Sequence, residues 1–328
     1  MHMNLFLQAF VHTKLRVRRI KKTTLLQYDG CVKAFTRWAG ESKRSLVTSD
    51  KVDVAMSIDF HELFEADSSF NLASHTLFGW IALKMVPKQA ERLLLPLARS
   101  ALASWKSERP GETRVGVPPQ VVMAFACYCV KHGCFQAAVA ALMQYDLYAR
   151  PSEILCIVGS DIVAPVRGMS NAWGVVFGNS ERAILTKAKQ HDDVVLANSV
   201  HPPWCGKLIL IQHVAKHLIH EPKPVFNLTL SQYEELFRSF SKEMGLPVSA
   251  FTPHTLRHSG PSFDILHHHR TLKEIQERGR WESINSVRHY KKPGRLLLNA
   301  SRLPLCLQSF QTQQFSSALA SILSQRWV

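Results

Sequence analysis

What the chain lacks narrows its reading first. In 328 residues no apolar run approaches the ~18 that a bilayer-spanning helix needs. The most apolar stretch, Val121 to Val130, has the length of a core helix, so no membrane partner is expected. No P-loop glycine pattern appears, and no second Cys or His pair stands at zinc spacing behind Cys127, Cys129 and Cys134. Neither a cofactor nor a metal is therefore expected. Internal repeats and low-complexity tracts are absent. Cysteine is sparse and odd in number, seven in all, mostly in apolar surroundings. That argues against a disulfide framework and for free thiols in a reducing, intracellular compartment: the nucleus in a eukaryote, the cytoplasm or nucleoid in a prokaryote. The first residues, MNLFLQAFV followed by basic ones, invert the charge-then-apolar order of a secretory signal.

Acidic residues are also scarce. Asp and Glu total 25 against 40 Lys and Arg, a formal charge of +15, and none precedes Asp29. An excess of this size favours a polyanionic partner and says nothing about fold. It is densest in KLRVRRIKK, where Lys14, Arg16, Arg18, Arg19, Lys21 and Lys22 read as a solvated face, a targeting address or an arm lying on a phosphate backbone.

The periodicity predicts a mainly α protein with a small β-sheet. After Thr23 or Thr24 as helix cap, Leu25, Tyr28, Val32, Phe35 and Trp38 recur at three- and four-residue steps. Further helices are expected around 52–66, 71–85 and 92–106, giving an all-α first domain over 23–106 behind a basic arm over 1–22. The stretch 107–119, SERPGETRVGVPP, has the proline, glycine and charge of a linker. A second domain, α+β, is expected over 120–328. It opens with apolar helices over 120–131 and 136–148. Strand-like pieces follow, including a hairpin over 182–196, and then helices near 203–220, 231–244, 254–267, 272–278, 283–291 and 314–325. In the last of these, Phe315, Leu319, Ile322 and Leu323 form an apolar stripe suited either to a neighbouring protomer or to its own domain.

The chemistry concentrates in Thr252 to Lys292. His254 and Arg257 are three residues apart, Trp281 follows, and Tyr290 stands nine residues beyond it. Together they suggest a site that holds an anion and presents a phenol to it. A phosphodiester repels nucleophiles, so without a metal its oxygens must be met by fixed cations and donors, and the planar guanidinium matches two oxygens at once. Arg257 is one such cation. Arg150 is placed to be a second, at a helix end, with Glu153 one turn on to orient its neighbours. Each residue also has an ordinary reading: Arg150 as a helix cap, Trp281 as core, Tyr290 as an amphipathic filler. The run His267 to His269 is not a metal set, because consecutive helical residues diverge by about 100°.

Taken in order, Arg150 with Glu153, a hairpin lysine, His254-x-x-Arg257, Trp281 and Tyr290 resemble the active-site signature of the tyrosine recombinases, the phage integrase family. The segments RPSEI, LRHSGPS, GRW and VRHY further resemble recombinases carried by eukaryotic mobile elements. The resemblance implies a helical core-binding (SAM-like) domain followed by a catalytic domain. It also implies double-stranded DNA as partner, a monomer when free and a tetramer on DNA. Tyr290 is then the nucleophile, forming a 3′-phosphotyrosyl link and releasing a 5′-hydroxyl. A phenol of pKa about 10 is only about one part in a thousand ionised at pH 7, a deficit of roughly 4 kcal/mol that local cations must offset. Arg150 and Arg257 clamp the phosphate, His254 serves as base or donor, and Trp281 offers its indole N–H. The lysine protonates the leaving oxygen. Lys187 is favoured by its register against Val194 to Leu196, with Lys189 as fallback. His258, beside Arg257, is expected to support the site or simply to pack. Ser259, Gly260 and Pro261 depart from the small-polar pattern that follows the family's second arginine, which questions the local helix geometry. Two other functions stay open: a type IB topoisomerase, and a DNA-binding protein that descends from a recombinase and no longer cuts.

Overall fold

The computed structural model describes residues 20, 22–84, 95–110, 116–169, 172–178, 193–197, 218, 221–247, 250–291, 293–310 and 312–324. The chain divides into two compact units, Met1–Thr113 and Arg114–Val328.

Among the described residues the first unit consists of helices α1 (Lys22–Glu41), α2 (Ser49–Glu65), α3 (Phe70–Leu83) and α4 (Pro96–Glu108). Of the stripe on α1 that was read from spacing, Val32 and Phe35 are buried and Leu25, Tyr28 and Trp38 half-buried, while Ala39 joins the buried face. Phe35, Met56, Phe60, Leu77 and Trp105 close one core, with Phe64 edge-on to Trp105 at 5.4 Å between ring centroids. The start of α4 is held from another helix. Asp53 of α2 is buried and its carboxylate accepts the backbone N–H groups of Leu97 at 3.0 Å and Ala98 at 2.9 Å. A negative group thus meets the N–H groups that a helix start leaves without partners. Lys22 opens α1; the other basic residues of the expected arm lie outside the described residues.

In the second unit, α5 (Pro119–Lys131) and α6 (Phe135–Leu147) are buried on nearly every side. They carry the core on which the rest packs. Phe125 gathers Phe237 at 4.2 Å, Phe240 at 5.4 Å and Phe251 at 5.5 Å. Phe237 and Phe240 lie on α8 (Leu230–Glu243). After the short α7 (Pro151–Leu155) comes an antiparallel sheet in the order β1 (Ile162–Val163), β2 (Trp173–Phe177), β3 (Asp193–Ala197), with Val175 opposite Val195. Val175, Phe177, Val195 and Ala197 face the core while Val194 and Leu196 face outward, the alternation of a half-buried strand. The hairpin tip between β2 and β3 lies outside the described residues, as does most of the helix expected near 203–220.

The helix that carries the site, α9 (Pro253–Leu266), keeps its course through Pro261. Pro253 occupies its first turn, where a missing N–H costs nothing. The residues that questioned this helix turn out to be its packing surface. At Gly260 a Cβ would collide with the carbonyl of Tyr145 and stand 2.6 Å from Cε1 of Tyr148, so only glycine admits α9 this close to α6. Ser259 donates to the carbonyl of Thr255 at 2.8 Å and accepts the N–H of Val117 at 2.9 Å. Then follow α10 (Leu272–Arg278), α11 (Pro293–Ser301), α12 (Leu305–Gln308) and α13 (Thr312–Ser324).

One expectation is corrected, and one left open is decided. Residues 283–291 do not form one helix but two single 3-10 turns, Ile284–Ser286 and Arg288–Lys291, which leave Tyr290 on a tight corner instead of a helix face. The stripe of α13 is spent on its own unit, because Phe315 and Ile322 are fully buried in the main core and Leu319 and Leu323 pack against it. Among the described residues no helix is long and apolar enough to cross a membrane.

Candidate active site

The site is built around one carboxylate. Pro151 starts α7, which places Arg150 at its N-cap with extended backbone. Glu153, in the first turn, reaches back to accept the N–H of Arg150 at 2.8 Å. Its other oxygen accepts Nη1 of Arg150 at 2.5 Å. From 127 residues further along, Nη2 of Arg280 donates to Glu153 at 2.6 Å. Nη1 of Arg257 stands 3.7 Å away. Burial alone would raise the pKa of Glu153. Arg280 above all, then the Arg150 N–H and the charges of Arg150 and Arg257, hold it down at about 2. The carboxylate therefore stays ionised among three guanidinium groups.

Arg257 is as enclosed as Arg280. Its side chain is 2% exposed. Nη1 donates to the carbonyl of Tyr148 at 2.5 Å and Nη2 to the carbonyl of Gly279 at 2.6 Å. Tyr148 ends α6 in the left-handed conformation, φ 52. The arginine thus ties the end of α6 to the turn before Trp281. Desolvation first, and the charge of Arg150 next, lower its pKa to about 9. Arg150 keeps 18% of its side chain accessible and is the more open of the two expected clamps.

Trp281 and Tyr290 complete the same cluster. The guanidinium of Arg257 lies 4.6 Å from the Trp281 ring, which in turn lies 5.5 Å from the ring of Tyr290. A Cβ on Gly279 would run into the indole, so glycine is what lets that ring fold back over its own turn. Tyr290 is 4% exposed. Burial pushes its phenol pKa well above 10, against the lowering charge of Arg257. The hydroxyl is 2.6 Å from Nδ1 of His258, and His258 stacks face to face on His254, centroids 5.2 Å apart and planes 7° apart. His258 therefore touches the expected nucleophile directly.

Arg150, Glu153, His254, Arg257, His258, Trp281 and Tyr290 thus come together from separate segments, while Lys187 and Lys189 lie outside the described residues. Arg280 was missed by sequence reasoning. It is buried, adopts φ 55 and lies 4.1 Å from the centroid of the Phe177 ring, linking Glu153 to the sheet. No local signal in the sequence marks it, since an arginine between a glycine and a tryptophan reads as solvent-facing. Beneath it, Gln144 donates to the carbonyls of Ala149 and Pro253 at 3.2 and 2.7 Å and so fixes the start of α9 and His254. The hydroxyl of Tyr148 meets Asp264, which also pairs with Arg270. Arg278 donates to the carbonyls of Asp146 at 3.0 Å and Leu196 at 2.6 Å, joining α6 to β3. Among the described residues no cluster of His, Cys, Asp and Glu could hold a metal ion.

No family model and no curated protein matches the chain. Solved structures do. A crystal structure of XerH site-specific recombinase bound to difH substrate, a pre-cleavage complex, is 15% identical with a TM-score of 0.46, covering 82% of this chain and 76% of that one. XerH bound to palindromic difH substrate, a post-cleavage complex, is 14% identical with a TM-score of 0.45, covering 78% and 72%. XerA recombinase is 14% identical with a TM-score of 0.39, covering 92% and 98%. Identities and overlays at this level assign no function to this chain.

Proposed function

We propose that the chain is a DNA strand-transferase of the tyrosine recombinase kind, breaking and rejoining double-stranded DNA through a 3′-phosphotyrosyl intermediate. One observation carries the reading. A buried tyrosine with a histidine nitrogen 2.6 Å from its hydroxyl shares a cluster with Arg257, Trp281 and Arg150, the last from a segment more than a hundred residues earlier. Ordinary packing requires no such set, whereas attack on a phosphodiester requires all of its parts.

In the proposed reaction the phenol oxygen of Tyr290 bonds to phosphorus, the bond to the 5′-oxygen breaks, and that oxygen leaves as a hydroxyl. Arg150 and Arg257 offset the charge gathering on the non-bridging oxygens, with Trp281 as further donor. The phosphotyrosyl link keeps the energy of the broken bond, so an incoming 5′-hydroxyl reverses the step on the same or another strand. The +15 charge supplies nonspecific attraction to the duplex, which should weaken steeply with salt. Assembly of four protomers on DNA, an element-borne role and assignment of the leaving-group proton to Lys187 belong to the same proposal.

A second reading has an observation in its favour. Both terminal nitrogens of Arg257 are committed to carbonyls and Tyr290 is buried, as suits a DNA-binding protein that no longer cuts. One experiment separates the two. The full chain is incubated with a pool of nicked duplexes of randomised sequence, and DNA that remains attached after denaturation is recovered and sequenced. Covalent capture by wild type, abolished in Tyr290→Phe, is expected. Its absence, or its survival in that variant, defeats the strand-transfer reading.

A further inference from the structure

We infer that His258, one helical turn beyond the expected histidine, is the group that takes the proton from Tyr290 as the nucleophile attacks. The inference rests on the strand-transfer reading and assigns within it a step that the sequence left to His254. Nδ1 of His258 is 2.6 Å from the Tyr290 hydroxyl, the reach a general base needs. His254 and His258, four residues apart on α9, share one helix face. In the structure they stack as parallel rings.

The geometry divides their labour. With its proton on Nε2, His258 presents the Nδ1 lone pair to the phenol. As the bond from the Tyr290 oxygen to phosphorus forms, the phenolic proton passes to Nδ1 and His258 becomes an imidazolium. The bond from phosphorus to the 5′-oxygen breaks, and that oxygen takes its proton from a separate acid, the role expected of the hairpin lysine. On religation the imidazolium returns its proton to the departing phenol oxygen, and charge and protons balance over the cycle. The face of a neutral His254 can steady the new imidazolium, as an aromatic face steadies a cation. Among the described residues, the titratable or charged groups around the pair include His254 on the same helix, Tyr290 from the Arg288–Lys291 turn, and Arg257, whose charge reaches Tyr290. A buried phenol reluctant to ionise is where a base is worth most.

The first test uses the free chain. Histidine-selective ¹⁵N spectra should show His258 with its proton on Nε2 and Nδ1 accepting, with the Nδ1 signal moving in Tyr290→Phe. A proton fixed on Nδ1 would make His258 the donor and overturn the inference without reference to DNA. The second test follows single-turnover adduct formation on the captured duplex, carrying sulfur in place of the 5′-bridging oxygen so that the leaving group needs no acid. Wild type should rise with pH and level off once the base has lost its proton. His258→Asn should lose about 10²- to 10⁴-fold at pH 7, the span of a general base, and rise with pH without levelling. His254→Asn should keep the break. His258→Gln repeats the test should the asparagine variant fail to fold. An adduct whose pH break survives in both His258 variants defeats the inference alone. Absence of any wild-type adduct defeats the strand-transfer reading and the inference with it.

Discussion

Replacing Glu153 by Gln tests whether one buried carboxylate holds the site together. In the wild type its carboxyl sits at about 2 instead of its ordinary 4.5. The folded chain therefore holds that proton less tightly than the unfolded one by about 3 kcal/mol. The folded value is depressed, so the stabilisation is complete above pH 4.5 and is lost as pH falls toward 2. Glutamine keeps the shape but leaves Arg150, Arg257 and Arg280 facing one another without a counter-charge, and breaking a buried pair in this way costs about 3–5 kcal/mol. Urea unfolding of the full chain, with amide exchange over α7 reporting the local unit, should show the variant less stable by that amount at pH 7. The gap should shrink by about 3 kcal/mol as pH is lowered from 5 to 2, since every other carboxyl titrates alike in both proteins. A loss under about 1 kcal/mol at pH 7, or a gap that does not change with pH, would falsify the claim that Glu153 is the electrostatic hub.

Four further outcomes follow from individual contacts. Arg280→Gly should relieve a left-handed backbone at φ 55 yet destabilise by about 2–4 kcal/mol in urea titration, because the pair with Glu153 outweighs the strain; a stabilised variant would show that the backbone alone governs the position. Gly260→Ala should cost at least about 1–3 kcal/mol through overpacking against Tyr148, read as a lowered thermal midpoint. Asp53→Ala should cost about 1–2 kcal/mol and speed exchange of the Leu97 and Ala98 amides, while leaving exchange in α9 unchanged. The Tyr290 phenol is raised, so it stays protonated through neutral pH, and the stability linked to it is lost only as pH climbs above 10; burial raises Tyr148 and Tyr233 as well, so ultraviolet titration should find several tyrosines ionising late in wild type and one fewer in Tyr290→Phe.

What the sequence could reveal follows from the range of each interaction. Val32 and Phe35 of α1 were legible because helix amphipathicity is a local pattern. Arg150, His254, Arg257, Trp281 and Tyr290 could be picked out as an ordered set, since the chemistry proposed for them needs fixed residue types. Arg280 was not, because an arginine beside a glycine reads as solvent-facing until Glu153, 127 residues away, is brought to 2.6 Å of it. Nor was the contact of His258. The stretch 283–291 was expected to be helical, and the choice between His254 and His258 depends on where the corner formed by two 3-10 turns puts Tyr290. Gly260 looked like a departure from a pattern because what it accommodates, the left-handed Tyr148, lies at the end of another helix.

That same corner of the fold limits how the site can be dissected. Arg257 donates to the carbonyls of Tyr148 and Gly279, so it secures both the end of α6 and the turn that carries Arg280 and Trp281. Arg257→Ala would remove a cation from the proposed phosphate site and at the same time release two buried carbonyls, each costing about 1–3 kcal/mol when left without a donor. Arg257→Lys would be no cleaner, since one ammonium cannot reproduce a fork that spans two carbonyls. Loss of activity in either variant would therefore not identify a clamp. Arg150 is the better probe: its side chain bonds to Glu153, it is partly accessible, and Arg280 remains to neutralise the carboxylate when it is removed. If the phosphate is held as proposed, Arg150→Gln should depress adduct formation far more than it lowers the urea midpoint. A loss of stability in proportion to the loss of activity would mean that Arg150, too, is only part of the frame.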